Sequence, residues 1–368
     1  MKTKSYYVGL VLLGFLTWSC SSADDLGSSK SLKTSIQANA QELTLAMNTI
    51  SASAGYQALS TSTETTSASY THPPVAAFDS TYSSILLADI SGVYDYKAAN
   101  YKKWNPSLLR FFVRSADNVD MIVNLPKEKV QKPYNLLRFS PKDTTLVNDY
   151  KIDLSKYEYK FNRFLGWDYN MASNINISGV NAGDLQIQSS NSKAKGYHFA
   201  SSFAFASGYT TNTSYTSGDT IISLYNISKN NTTLYEEKYT AIRTSTTSRH
   251  REKEYSLTIG NVQIVRIPGP TSLDSAKVYV AGVLQLHSKV QFIDETTTST
   301  NPDSTETSIT NHKRELQITF DDGTTTTIKQ LLGNTIDNIR TLFVSLRQTY
   351  FATSVVDWIA WDIYINKK

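Results

Sequence analysis

"DLSKYEYKFNRFLGWDY", Asp153 to Tyr169, is the stretch that decides the fold class. Tyr157, Tyr159 and Phe161 alternate with Lys156, Glu158, Lys160 and Asn162. A period of two places one set of side chains on each face of a pleated strand, apolar in and polar out. The same habit runs outward in both directions. Leu109, Phe111 and Val113, then Val119, Met121, Val123 and Leu125, read as a hairpin turning at Ala116–Asn118. "TSGDT" (Thr216–Thr220) and "SKNNTT" (Ser228–Thr233) mark two more hairpins, and "DDG" (Asp321–Gly323) a tight turn. From Val278, "VYVAGVLQLHSKVQFIDE" alternates long enough to predict one extended strand, bent at Gly282 or Ser288. With 23 Tyr, 14 Phe and 5 Trp beside abundant Ser and Thr, composition favours strands over helices.

Two segments carry the other period. Leu32, Ile36, Ala40, Leu43, Met47, Ile50 and Ala54 fall three or four apart, predicting a helix over Ser31–Ala54 with Gly55 as its C-terminal cap. Ile328, Leu331, Leu332, Ile336, Ile339, Leu342, Phe343 and Leu346 predict a second helix near the C-terminus, despite Gly333. The closing "SVVDWIAWDIYIN" is apolar on both alternating faces and reads as a strand buried on both. The expected fold is α+β, mainly β: a large antiparallel sheet or sandwich with an N-terminal helix and a second helix near the C-terminus. The expected organisation is a leader at 1–19, a tether at 20–30, a helical segment at 31–59 and a Ser/Thr-rich linker at 60–74. A mainly β domain follows at 75–368, with a mobile loop at 296–312.

Lys2 and Lys4 precede the apolar run Val8–Leu16, and the only cysteine, Cys20, follows it. Nine helical residues reach about 14 Å, too short to cross a hydrocarbon core, so the run is a secretory signal. The order of charge, apolar run and lone cysteine resembles the lipobox of bacterial lipoproteins. Ser21, Ser22, Ala23, Asp24 and Asp25 resemble the export signal of surface lipoproteins in the Bacteroidota. The resemblance implies cleavage before Cys20, a diacylglyceryl thioether on its sulfur, an N-acyl chain such as palmitate, and an outer-membrane or cell-surface location. Five Asp-Ser/Thr-small/aliphatic triplets resemble the O-glycosylation motif of the same phylum and point to Ser80, Thr144, Thr220, Ser275 and Ser304.

Charge excludes one class of partner. The chain has 36 Lys and Arg against 32 Asp and Glu; losing Lys2 and Lys4 with the leader leaves 34 against 32, a net of +2. Nucleic-acid binding needs clustered cations, and the most basic run, Arg243–Glu254, is interleaved with two glutamates and reads as a solvated loop or strand edge. His72, His198, His250, His287 and His312 are too scattered for a local metal motif, and no nucleophile elbow, phosphate loop or dinucleotide fingerprint occurs. No catalytic residue, metal ligand or cofactor is therefore assigned. The expected function is a non-enzymatic β domain on a lipid anchor that binds an envelope protein or a ligand. One alternative is a carrier or sensor of an apolar ligand facing Tyr197, Phe199, Phe203, Phe205 and Tyr209, whose stripe in "GYHFASSFAFASGY" is backed by small residues. Another is a carbohydrate-binding or glycan-degrading surface protein. It would use Trp104, Trp167, Trp358 or Trp361 as platforms and Asp168, Asp357 or Asp362 as acids.

Overall fold

The computed structural model describes residues 31–59, 82–98, 111–131, 141–244, 250–267, 275–300 and 308–367. Cys20, the leader and tether, the 60–74 linker, Ser80, Trp104 and Ser304 lie outside these residues. The protein is mainly β. Short strands β1 (Tyr82–Leu86), β2 (Gly92–Tyr96), β3 (Phe112–Ala116) and β4 (Met121–Leu125) open the sheet. The long strands are β5 (Tyr150–Asn162), β6 (Gly166–Ile177), β7 (Val180–Ser192), β8 (Gly196–Phe205), β9 (Tyr209–Ser217), β10 (Thr220–Lys229), β11 (Thr232–Arg243) and β12 (Arg251–Ile259). Then come β13 (Val262–Ile267), β14 (Ser275–Val280) and β15 (Val283–Leu284). All fifteen form one sheet, in which β5 to β15 run as an unbroken antiparallel meander. A separate three-stranded sheet holds β16 (Lys289–Thr300), β17 (Ser308–Thr319) and β18 (Thr325–Thr327).

Register shows why this sequence closes a core on one face. Met121, Leu154, Ser173, Leu185, Phe203, Thr211, Ile227, Tyr235, Ile259, Val262 and Val280 are successive cross-strand partners, one per strand from β4 to β14. Every one of them is buried. A slip of one residue in any strand would turn its whole apolar set to water, so the row itself specifies the pairing. In β5 the apolar positions change phase, from Ile152 and Leu154 to Tyr157 and Tyr159. A register shift between Leu154 and Lys156 absorbs Ser155 as a bulge and keeps all four inward. The opposite face is polar. There Asn174 donates to Asp184 Oδ1 (2.8 Å), and Asn212 donates to Asn226 Oδ1 (3.2 Å) across the strands. The connections β6–β7, β10–β11 and β14–β15 are two-residue turns. Each has positive φ at both central residues: Ser178–Gly179, Asn230–Asn231 and Ala281–Gly282. That geometry matches the twist of the strands it joins.

The helices α1 (Leu32–Ala52), α2 (Ala54–Leu59), α3 (Leu87–Ile90), α4 (Lys127–Gln131), α5 (Ile328–Leu332) and α6 (Thr335–Lys367) complete the fold. Ser31 caps α1 by accepting from the Thr34 amide, and the apolar stripe from Leu32 to Ile50 is buried. On α1, Asn39 donates to the Ile259 carbonyl (2.9 Å), seating the helix on the β12–β13 turn. On α6, Phe343 meets Tyr225 of β10, and Trp361 meets Tyr159 of β5. Eighteen residues of helix rise about 27 Å, and five strand steps span about 24 Å. The helix therefore lies across the strands and closes the core of the meander.

Several sequence expectations are corrected. "SVVDWIAWDIYIN" is the C-terminal part of α6, not a strand. Its buried Val355, Val356, Ile359, Ala360 and Ile363 repeat at helical spacing, and rings on the remaining positions fill the second face. Leu109 lies outside the described residues, and Phe111–Leu125 is not a hairpin, because β2 lies between β3 and β4 and pairs with β4 in parallel. The strand expected from Val278 is three: Ala281–Gly282 turns it back, and β16 leaves for the second sheet. Residues 296–300 and 308–312, expected within a mobile loop, are paired strand in β16 and β17. Gly55 is not the cap of α1, which ends at Ala52 with Ser53 as its C-cap. Gly333 separates α5 from α6 at φ +51°.

Candidate functional site

The aromatic stripe singled out in the sequence divides. Phe203, Phe205 and Tyr209 are buried, with Tyr209 already on β9, while Tyr197 and Phe199 are half-buried at the rim. Trp361 lies 6 % exposed, edge-on to Tyr159 (5.4 Å) and Tyr364 (6.0 Å), and Trp358 is half-buried against the same core. A stacked sugar needs an open ring face, which Trp361 does not offer. Asp357 is buried and accepts from the Tyr157 hydroxyl (3.1 Å). Asp168 is exposed on the opposite, polar face. There it lines a groove of about 370 Å³ with Glu158, Lys160, Asn170, Gln188 and His198. Lys160 pairs with Glu158 in that groove, and His198 Nδ1 lies 3.1 Å from Thr216 Oγ1. Thr144 sits exposed in a 3₁₀ turn, Thr220 begins β10 and Ser275 begins β14.

A second groove, of about 340 Å³, lies on the helix-bearing face between β10–β13 and β17. Its walls include Tyr225, Glu237, Tyr239, Tyr255, Leu257 and Arg266. Cross-strand pairing builds it. Tyr225 faces Glu237 and Leu257 in one row, and Tyr239 faces Tyr255 and Arg266 in the next. The Tyr239 and Tyr255 rings are 4.8 Å apart at 43°, and the Arg266 guanidinium lies 5.4 Å from the Tyr255 ring. Tyr225 rests edge-on against Phe343 of α6 (5.1 Å), which fixes the inner end. Tyr255 remains 41 % exposed although its row belongs to the face that elsewhere forms the core.

Glu237 is held from below. The buried Tyr235 hydroxyl donates to its carboxylate. Burial, reinforced by that carboxylate, pushes the Tyr235 phenol well above its ordinary range and keeps it a donor. The carboxylate is thus oriented while remaining exposed to the groove. Acceptors on Glu237, donors on Arg266 and flat ring faces between them suit a ligand that is polar at its edges and apolar on its faces.

The aromatic character continues along the rim. Trp167 and Tyr197 are 6.1 Å apart, as are Tyr197 and Tyr215, and Tyr215 is 39 % exposed. Tyr215 is the cross-strand partner of Ser223, which is in turn the partner of Tyr239. Sequence reasoning reached Trp167 and Tyr197 but missed Tyr239, Tyr255, Glu237 and Arg266. Their convergence depends on the β11–β12–β13 register, for which no local pattern stands. Among the described residues no group of three or more His, Cys, Asp or Glu could hold a metal ion, and no helix is long and apolar enough to cross a membrane. No protein-family model, curated protein or solved structure matches the chain.

Proposed function

We propose that the mature chain is a non-enzymatic binding protein, tethered to a bacterial envelope by acyl chains on Cys20, whose ligand occupies the tyrosine groove over β10–β13. The observation that carries the reading is a row of half-open aromatic rings on the face that otherwise packs the core. Exposed rings in a concave site are retained at a cost in burial, and binding is the ordinary reason. The described lining contains one carboxylate, Glu237, whereas glycoside hydrolysis ordinarily uses two, so binding is favoured over cleavage. The apolar-carrier alternative has less support, since Phe203 and Phe205 are core.

Two measurements test this. Cys20→Ala should move the protein from the membrane to the soluble fraction; a variant that stays with membranes removes the anchor from the reading. Tyrosine nitration followed by peptide mapping should label Tyr255 and Tyr215 and spare Tyr157, Tyr159 and Tyr235. An unreactive Tyr255 would mean the groove is closed and the site is elsewhere.

A further inference from the structure

We propose that the groove and the aromatic rim form one platform for an extended saccharide chain; this rests on the groove being the binding site. The chemistry comes first. A pyranose ring has apolar C–H faces and a girdle of hydroxyls that both donate and accept. The tilted Tyr239–Tyr255 pair offers ring faces to the former. Glu237, oriented by Tyr235, accepts from hydroxyls, and the Arg266 guanidinium beside Tyr255 donates to them. A purely apolar ligand would take water from both charged groups and offer them no hydrogen bond in exchange, which costs affinity. A compact cation would meet Arg266 as a like charge.

Length comes from the register. Trp167 on β6 and Tyr197 on β8 share one cross-strand row, and Tyr215 on β9, Tyr239 on β11, Tyr255 on β12 and Arg266 on β13 share the next row of the same face. From β6 to β13 is seven strand steps, about 34 Å at the usual spacing. One strand step is close to the advance of one sugar ring along an extended chain. A linear polymer running across the strands therefore meets rings again and again, whereas a monosaccharide reaches only the Tyr239–Tyr255 end.

The test is calorimetric titration of the full mature protein with cello-, manno-, xylo- and chito-oligosaccharides from disaccharide to hexasaccharide. In parallel, the apolar dye 8-anilinonaphthalene-1-sulfonate probes the groove. At least one series should bind with affinity that rises with chain length. Tyr255→Ala should lose about tenfold or more, the size of a hot-spot truncation, and Tyr255→Trp, which keeps a stacking face, should retain binding. Tyr197→Ala should weaken the hexasaccharide and leave the disaccharide unchanged. Oligosaccharide binding indifferent to Tyr239→Ala and Tyr255→Ala would overturn the groove as the site. Dye binding lost in Tyr255→Ala, with no oligosaccharide bound, would overturn the saccharide class and leave the groove standing. Binding of neither would overturn both.

Discussion

Gly55 shows how a residue acquires its reason only in three dimensions. Its spacing after Ala54 reads as a helix cap, yet it lies inside α2, where a Cβ would sit 2.4 Å from the Ala182 carbonyl oxygen. Ala182 is the residue that β7 carries in excess at its bulge against β6, so the glycine lets α2 touch a sheet irregularity. Gly55→Ala forces helix and strand apart. A loss of about 1–3 kcal/mol is expected, read as a lower midpoint in urea unfolding, as for other overpacked contacts. An unchanged midpoint would show that α2 is not seated on β7. Tyr159 makes a second residue-scale case. Burial first, and the buried Asp357 carboxylate second, push its phenol up to about 12. The group is neutral in the fold and ionises more easily once unfolded. Its contribution to stability is therefore complete below about pH 10 and is lost as pH rises through about 12. Absorbance titration at 295 nm should show a late tyrosine fraction that ionises together with loss of near-UV circular dichroism. A single normal titration step would contradict the burial of Tyr159.

At the scale of elements, α4 and the 3₁₀ turn at Pro141–Thr145 are joined by an ion pair with little water around it. Lys129 Nζ and Asp143 Oδ2 are 2.6 Å apart, with side chains 5 % and 9 % exposed. Removing one partner takes away the other's countercharge in a site of low dielectric, whereas replacing both with apolar residues removes the problem. Asp143→Ala should cost about 3–5 kcal/mol, and the Lys129→Met, Asp143→Leu double variant should recover most of it. Chemical denaturation of the three proteins checks this, and a double variant as unstable as the single would refute the desolvation argument. The same scale shows what was legible in the sequence. Strands β5 and β8 were legible because each buries more of one face than of the other, so period two survives. Helix α1 read cleanly because it buries one stripe. The C-terminal half of α6 failed for the opposite reason. Val355 to Tyr364, with Trp358 and Trp361 among them, packs almost all round, and a segment buried on every side shows no contrast from which a period can be read. The groove was invisible for a third reason: Tyr239 and Tyr255 sit in different strands, sixteen residues apart, and only the β11–β12 register sets Tyr239 opposite Tyr255.

For the molecule as a whole, the decisive fact is that one open sheet does the work of a core. In the meander each strand from β6 to β14 pairs only with its neighbours in sequence, so stability is passed along the sheet by strand-to-strand contacts and by whatever helix lies above them. Helix α1 covers the β11–β13 end, and the last turns of α6 cover β5 near β4 and β6. Ending the chain at Ser354 would remove Val355, Val356, Ile359, Ala360, Trp361 and Ile363 together and expose Tyr157 and Tyr159 to water. Hydrogen exchange should then accelerate by orders of magnitude in β4–β6, while β11–β13 beneath α1 keep most of their protection, because the contacts of α1 with these strands are left in place. Such an end-to-end gradient follows from a nearest-neighbour sheet. Uniform loss of protection across all strands would show instead that α6 couples the two ends into one cooperative unit, and the platform running from β6 to β13 would then depend on that helix over its whole length.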